Sequence, residues 1–179
     1  DWGYVDRLCE AADSAGCHVE VVPNELWLTD ADDFDSCAEG RKSLRLEYFY
    51  REERKRRGWL MDDGEPAGGR WNFDKDNRQT PDDDHVFPNA ARFEPDEITR
   101  DAIDEVESRW PDHFGSTDDF AWPVTREDAE RALDDFLENR LAAFGPFEDA
   151  IVEGEDTLYH SLLSAPINLG LLHPLEVCE

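Results

Sequence analysis

Residues 158–179 read LYHSLLSAPINLGLLHPLEVCE and predict two short helices in immediate succession. Ser164, with a proline two residues later, is a favourable N-cap for the first helix, and Gly170 is a suitable stop. His173 and Pro174 then open a second helix, with proline at the first helical position, where its missing N–H costs nothing. The rest of the chain is interpreted around these two helices.

Three small polar residues precede or begin the first of these helices: His160, Ser161 and Ser164. The first backbone N–H groups of a helix lack intrahelical acceptors and lie at the positive end of its dipole, so such a segment can bind a phosphate or pyrophosphate. The same pattern fits two capped helices that pack in a core and bind no ligand. This segment alone favours neither interpretation.

The chain is strongly acidic, with 45 Asp and Glu against 18 Lys and Arg and a formal net charge of −27. The acidic residues are spread throughout, and six Trp and ten Phe can build a core, which argues against an acidic disordered region. A folded chain of this charge repels itself unless counterions screen it, so the composition predicts a halophilic protein from a high-salt cytoplasm. It does not exclude DNA as a partner, because a basic contact surface can be small and local.

No stretch is apolar and long enough to span a membrane, and none has the pattern of a signal peptide, so we expect a cytoplasmic protein. The four cysteines are scattered without Cys-x-x-Cys spacing, which argues against paired disulfides and a local zinc site. We therefore assign no metal ligand and expect reduced thiols at Cys9, Cys17, Cys37 and Cys178.

The beginning of the chain predicts a helix, a tight turn and a strand. Apolar residues recur at helical spacing from Val5 to Ala12, and a β-branched run follows at residues 18–22. Such a strand normally lies within a parallel sheet covered by helices on both faces. No second strong strand follows, apart from a small hairpin expected around the Asp-Gly turn within residues 59–69. We expect a mainly α chain, an internal fragment with the remnant of an α/β, Rossmann-like domain.

The helix predicted from Leu46 to Gly58 ends in a dense basic cluster, made of Arg51, Arg54, Lys55, Arg56 and Arg57. Cations near a helix C-terminus are each favourable by ~0.3–1 kcal/mol, so a solvated cap is one interpretation. A surface that faces phosphate groups is the other. The first is favoured, because the dipole alone accounts for it.

Residues 79–95 contain three prolines and four acids and predict a linker. Helical periodicity resumes near Asp96, and its apolar stripe is Ile98, Ala102, Ile103, Val106 and Trp110. The clearest helix follows Thr125, in a pattern that resembles a capping box, and is expected to stop at Gly145-Pro146. Its predicted apolar face is Ala129, Ala132, Leu133, Phe136, Leu137 and Leu141.

Three motifs resemble segments of the photolyase/cryptochrome superfamily, in the same order. The run from His160 to Ser164 resembles the FAD-binding segment, in which Thr-Ser-x-Leu-Ser-Pro precedes Gly and a second Ser-Pro. This chain has His160 for the threonine, His173 for the second serine, and the proline one residue later. These departures are typical of the photolyase-related branch, the iron–sulfur bacterial cryptochromes and photolyases.

The second motif, Gly-Gly-Arg-Trp-Asn-Phe-Asp at residues 68–74, resembles the signature at which that family's antenna domain gives way to a connector. The third, Trp-Pro-Val-Thr-Arg at 122–126 with Phe144-Gly145 beyond it, resembles the start of the helical flavin domain. The resemblance therefore assigns 1–78 to the C-terminal part of the α/β antenna domain, 79–95 to a linker, and 96–179 to the N-terminal part of the helical FAD-binding domain.

The resemblance implies a fragment of a light-dependent DNA-repair flavoprotein. Reduced FAD would transfer an electron to a pyrimidine lesion in damaged DNA, the six-four photoproduct. A ribityl-lumazine antenna and an iron–sulfur cluster are implied for the family but not for the residues of this chain. No catalytic residue is assigned, because the cofactor carries the chemistry. The residues implied at the FAD phosphates are His160, Ser161, Leu162, Leu163 and Ser164.

Two alternatives belong to other classes of protein. One is a cryptochrome-type blue-light photoreceptor with the same pocket and no repair activity. The other is a helical interaction module that binds no flavin. The helices expected to enclose the isoalloxazine follow Glu179, so the isolated chain should be inactive and should purify without yellow colour.

Overall fold

The computed structural model describes residues 2–179, and helices dominate this range. The only strands there form one antiparallel hairpin, β1–β2. The elements, in chain order, are α1 (Trp2–Ser14), α2 (Ala31–Ala38), α3 (Leu46–Arg57), β1 (Met61–Asp62), β2 (Glu65–Pro66), α4 (Glu97–Arg109), α5 (Arg126–Asn139), α6 (Leu141–Phe147), α7 (Ser164–Asn168) and α8 (Pro174–Cys178).

Side-chain caps fix the starts of α4 and α5. The sequence predicts the cap at Thr125, and for α4 it predicts a start near Asp96 without a capping residue. The Asp96 carboxylate accepts a hydrogen bond from the backbone N–H of Thr99 at 2.8 Å. The Thr125 hydroxyl accepts one from the N–H of Asp128 at 3.2 Å. Each cap satisfies one of the otherwise unpaired donors of a first helical turn.

The hairpin predicted around the Asp-Gly turn is confirmed. Met61 lies opposite Pro66, and Asp62 lies opposite Glu65. The two turn residues, Asp63 and Gly64, have φ of 48° and 86°. Two left-handed residues in a row are what a tight two-residue hairpin requires.

The strand predicted at residues 18–22 is wrong. This run has no regular secondary structure, and Val21 and Val22 are 59% and 71% exposed. A β-branched run becomes a strand only when a neighbour accepts its ladder hydrogen bonds. No element within residues 2–179 pairs with it.

The stop predicted at Gly145-Pro146 is also wrong. Helix α5 ends at Asn139, and Gly145 and Pro146 lie inside the next helix, α6. The break comes at Arg140, whose φ of −128° is not helical and whose side chain is buried. Pro146 lies in the last turn of α6, and the residue before it, Gly145, has no Cβ to clash with the proline ring.

The hydrophobic core lies between α5 and the stretch 158–178. Its buried members are Phe93, Ala129, Ala132, Phe136, Leu163 and Leu172. Leu163 and Leu172 flank α7, so their burial presses α7 and the segment before it against α5. The segment that carries the candidate site is therefore held by the main core of the protein.

Within residues 2–179, no helix is both long and apolar enough to cross a membrane. The four cysteines are free thiols. Residues 2–179 contain no cluster of His, Cys, Asp and Glu that could hold a metal ion.

Candidate functional site

The five residues predicted at the FAD phosphates form a short irregular segment that leads into α7. The side chains of His160 and Ser164 are exposed, and those of Ser161 and Leu162 are half-buried. Leu163 is only 2% exposed and belongs to the core. Leu163 can therefore contact a ligand only through its main chain, whereas the other four can also present side-chain atoms.

The backbone of this segment is held in a conformation that leucine rarely adopts. Leu158 and Leu162 have φ of 46° and 60°, in the left-handed region. A non-glycine residue there costs roughly 1–2 kcal/mol and persists when its surroundings over-determine it. Burial of Leu158 and Leu163, at 5% and 2% exposure, supplies that constraint. Backbone strain of this kind concentrates at ligand-binding segments.

The strained turn leaves several main-chain donors without acceptors. In the described part of the chain, the backbone N–H groups of Ser161, Leu162, Ser164 and Ala165 donate to no protein atom. The N–H of Leu163 donates weakly to the Ser161 hydroxyl, at 3.4 Å. Consecutive free N–H groups beside two serine hydroxyls are suited to an anion.

The helix boundary differs by one residue from the predicted one. The residue before α7 is Leu163, and Ser164 is the first helical residue and makes no capping hydrogen bond. The Ser164 hydroxyl therefore remains exposed and available to a ligand. The predicted stop is confirmed, since Gly170 follows α7 with φ of 70°.

The start of α8 is closed to anions. The N–H of Leu175 donates to Nδ1 of His173 at 3.1 Å, and the N–H of His173 donates to the Glu176 carboxylate at 2.9 Å. This capping box has Pro174 at its first position, as the sequence predicts. Glu176 also places a negative charge there. Of the two helix starts in this stretch, only the one at α7 suits a phosphate.

The four arginines of the basic cluster of α3 make hydrogen bonds or ion pairs within the protein, and Lys55 lies over the ring of Trp71. Arg54 is 5% exposed and donates to the carbonyls of Trp59, Leu60 and Trp71. The other arginines pair with carboxylates of the same or a neighbouring helix: Arg51 with Glu47, Arg56 with Asp33 and Glu53, and Arg57 with Glu53. Because these arginines already have partners within the protein, the contacts argue against a surface that faces phosphate groups. They favour the interpretation as a helix cap, and they add that the arginines also join α3 to its neighbours.

The electrostatics of this network lower two carboxyl pKa values. Hydrogen bonds from Arg51 and Asn72 hold the pKa of Glu47 below its ordinary value. Partial burial raises the pKa of Glu53, but hydrogen bonds from Arg56 and Arg57 outweigh that effect and lower it. Both carboxylates are thus kept ionised as partners of the α3 arginines, which suits a structural role.

The Gly-Gly motif forms a tight loop beside α3. Gly68 and Gly69 have φ of 73° and 72°. A Cβ on Gly68 would lie 3.0 Å from Cζ of Phe73, so the ring approaches that backbone closely. Asn72 donates to Glu47 of α3 at 2.8 Å. The loop is therefore tied to α3 and not to residues 160–164.

An apolar cavity of about 570 Å³ lies between α3 and this loop. Its wall includes four aromatic side chains, those of Phe49, Tyr50, Trp59 and Trp71. It shares no lining residue with the segment 160–164. The cavity is therefore separate from the backbone N–H groups that are suited to bind an anion.

The structure brings four further residues to the segment that sequence patterns did not single out. The hydroxyl of Tyr159 lies 2.9 Å from Nε2 of His85 in the predicted linker. The carbonyl of His160 accepts a hydrogen bond from Arg140, which pairs with Asp135. No local sequence pattern could reveal these contacts. Asp135 and Arg140 are not separated by the three or four positions at which side chains of one helix meet. Arg140 and His160 are 20 positions apart, and His85 and Tyr159 are 74 positions apart.

Comparison with known proteins identifies the family. The family described as "Deoxyribodipyrimidine photo-lyase-related protein" matches residues 1–122. The chain is also 44% identical over all 179 residues to a protein of Agrobacterium fabrum (strain C58) named "(6-4) photolyase", and it spans 35% of that relative's length. The chain belongs to the deoxyribodipyrimidine photo-lyase-related protein family.

Proposed function

We propose that this chain is part of a light-dependent DNA-repair flavoprotein, in which residues 160–164 contact the phosphates of FAD. The observation that carries the proposal is the strained turn at Leu162, which leaves the N–H groups of Ser161, Leu162, Ser164 and Ala165 without protein acceptors in the described chain. Main-chain donors at a helix start are a common way to bind a pyrophosphate.

The residues present fit such a group. Ser161 and Ser164 add hydroxyl donors beside the main-chain N–H groups, and neither carries a charge that would repel a phosphate. Exposed His160 adds a ring that can donate a hydrogen bond. The burial of Leu163 anchors the turn, so these groups are pre-positioned and little ordering is required on binding.

When bound, FAD supplies the electron-transfer chemistry, and the protein supplies binding and orientation. In this proposal the substrate is damaged DNA that carries the six-four photoproduct, in agreement with the name of the Agrobacterium relative. The ribityl-lumazine antenna and the iron–sulfur cluster that the family resemblance implies have no assigned residue here. The proposed place of action is the cytoplasm.

The proposed domain organisation is 1–78 as part of the antenna domain, 79–95 as a linker and 96–179 as part of the helical FAD-binding domain. Among the contacts that cross these boundaries, Asn77 donates to Glu148 at 2.8 Å, and Arg78 pairs with Asp149 at 3.0 Å. They support a fixed position of the end of the proposed antenna part, residues 1–78, against the proposed FAD-binding part, residues 96–179.

The test uses the complete polypeptide that contains residues 1–179. The double variant Ser161→Glu, Ser164→Glu places two negative charges beside the proposed pyrophosphate, so flavin absorbance should be lost on purification. The matched control, Ser43→Glu with Ser108→Glu, adds the same charge at exposed positions outside the segment and should stay yellow. A double variant at 161 and 164 that retains full flavin content would contradict the proposed site.

The repair activity needs its own test, because a cryptochrome-type photoreceptor could share the flavin site. Blue-light irradiation of an oligonucleotide with a single six-four lesion should restore the intact pyrimidines when the complete polypeptide is present. Flavin retention without repair would favour the photoreceptor. Absence of flavin from the wild-type polypeptide would favour a helical interaction module.

A further inference from the structure

Arg140 is a buried cation that holds the main chain at the first residue of the candidate segment. Its side chain is 2% exposed and lies at the junction of α5 and α6. One terminal nitrogen, Nη1, donates to the carbonyl of His160 at 2.7 Å. The other, Nη2, donates to the carboxylate of Asp135 at 2.7 Å. The guanidinium is therefore fixed by two acceptors in two different parts of the chain.

Asp135 is itself held in place. Its Oδ2 accepts a hydrogen bond from the N–H of Ala91 at 3.1 Å, and its Oδ1 accepts one from the amide of Asn139 at 3.0 Å. The remaining guanidinium nitrogen, Nε of Arg140, is buried and has no acceptor in the described chain. The orientation of the guanidinium thus satisfies His160 and Asp135 and leaves its own Nε unpaired.

Fold stability alone is a weak explanation for this pair. A buried ion pair must overcome the desolvation of both charges, and well-packed apolar residues often stabilise a core as well or better. Buried ionic groups can instead specify one conformation. Here the conformation in question is the direction of a single peptide group, the one between His160 and Ser161.

A trans peptide is planar, and its C=O and N–H point in opposite directions. No cis peptide bond occurs in the described chain. Because Arg140 draws the His160 carbonyl toward the buried side, the N–H of Ser161 in the same plane points the other way. That N–H donates to no protein atom in the described chain.

We propose that Arg140, oriented by Asp135, is a positioning residue that aims the N–H of Ser161 at the cofactor phosphate. This inference rests on the proposed flavin function and extends it to residues that contact no ligand themselves. The planar guanidinium suits the task because its two terminal nitrogens reach two acceptors in fixed geometry, which an ammonium group cannot reproduce.

The experiment compares Arg140→Lys with Arg126→Lys in the complete polypeptide. Arg126, at the start of α5, is the control, because it too donates both to a carboxylate, Glu176, and to a carbonyl, Leu171, but it makes no hydrogen bond or ion pair with residues 160–164 in the described chain. Two quantities are measured: amide hydrogen exchange of the peptide 158–164 without flavin, and the dissociation constant for FAD.

Arg140→Lys should speed exchange at His160 and Leu163, whose N–H groups donate to the Thr157 carbonyl and the Ser161 hydroxyl. It should weaken FAD binding by about tenfold or more, as expected for the loss of one hydrogen bond from the Ser161 N–H to a charged phosphate. Arg126→Lys should change neither quantity in this segment. If Arg140→Lys does not fold, Asp135→Glu provides the second test, because the longer side chain keeps the charge but turns the guanidinium.

Unchanged exchange and unchanged FAD affinity in a folded variant would overturn the positioning role while leaving the proposed function intact. Faster exchange with unchanged affinity would also overturn it, because the ordered segment would then not serve the cofactor. A wild-type polypeptide that binds no FAD would overturn the proposed function itself, and this inference with it.

Discussion

Arg126 and Glu176 form a two-point ion pair that joins the start of α5 to the start of α8. Nη1 of Arg126 lies 2.8 Å from Oε2 of Glu176, and Nη2 lies 2.6 Å from Oε1. Arg126 also donates to the carbonyl of Leu171 at 2.7 Å. The pair therefore holds the chain on both sides of buried Leu172.

This pair predicts a specific acid sensitivity. The hydrogen bonds from Arg126, with a smaller contribution from the His173 N–H, lower the pKa of Glu176 from 4.5 to about 2. A lowered folded-state pKa gives stability that is present above 4.5 and lost as the pH falls toward 2. Because both side chains are partly exposed, at 46% and 44%, solvent screening keeps the effect modest.

The measurement is the thermal unfolding midpoint as a function of pH, for the wild type and for Glu176→Gln. The variant should be less stable above pH 4.5 and should lose less stability than the wild type between 4.5 and about 2. Glu153→Gln is the control, since no ion pair of Glu153 is found in the described chain. Parallel pH profiles for all three proteins would contradict the prediction.

The net charge of −27 predicts stabilisation by salt. Raising the ionic strength from about 0.1 M to about 1 M shortens the screening length from about 10 Å to about 3 Å, which weakens repulsion between exposed carboxylates. The midpoint observed by circular dichroism should therefore rise with KCl. An uncharged osmolyte at matched osmolality is the control. A midpoint that does not change with KCl would count against halophilic adaptation.

Leu172 and Leu169 provide a matched pair for the core. Leu172 is fully buried against α5, whereas Leu169, three residues earlier, is 70% exposed. Leu172→Ala should lower the free energy of unfolding by about 2–5 kcal/mol, because it removes buried methyl groups and leaves a cavity. Leu169→Ala should change it by no more than about 0.5 kcal/mol. Chemical denaturation in molar KCl measures both, and equal effects would show that the stretch 158–178 does not pack as described.

Gly68 and Gly69 form a second matched pair. Both have positive φ, so alanine at either position should cost roughly 1–2 kcal/mol. At Gly68 the new Cβ would also meet Cζ of Phe73 at 3.0 Å, whereas at Gly69 it would meet nothing within 4 Å. The Phe73 ring would have to move off Arg70, whose guanidinium lies 4.3 Å from its centroid, so Gly68→Ala should cost about 0.5–1 kcal/mol more. Equal unfolding midpoints would contradict this difference.

Only some of the apolar residues predicted to form the buried faces of α4 and α5 are buried. On α5, the predicted members Ala129, Ala132 and Phe136 are buried, but Leu137 is 45% exposed. On α4, Ile98 at the start of the predicted apolar stripe is 78% exposed, and no residue of the helix is buried. Periodicity shows that a helix has an apolar side, but burial depends on an element to cover that side.

Helix starts and turns could be predicted from the sequence because the interactions that form them span only a few residues. The Asp96, Thr125 and His173 caps each act on an N–H two or three positions ahead, and the hairpin turn needs only two left-handed residues. Contacts between residues that are 20 or 74 positions apart produce no such local pattern in the sequence. The Arg140–His160 and His85–Tyr159 contacts therefore appear only in the folded chain, as does the failure of residues 18–22 to pair. Polar side chains and main-chain groups distant in sequence meet only after the core between α5 and residues 158–178 has brought them together.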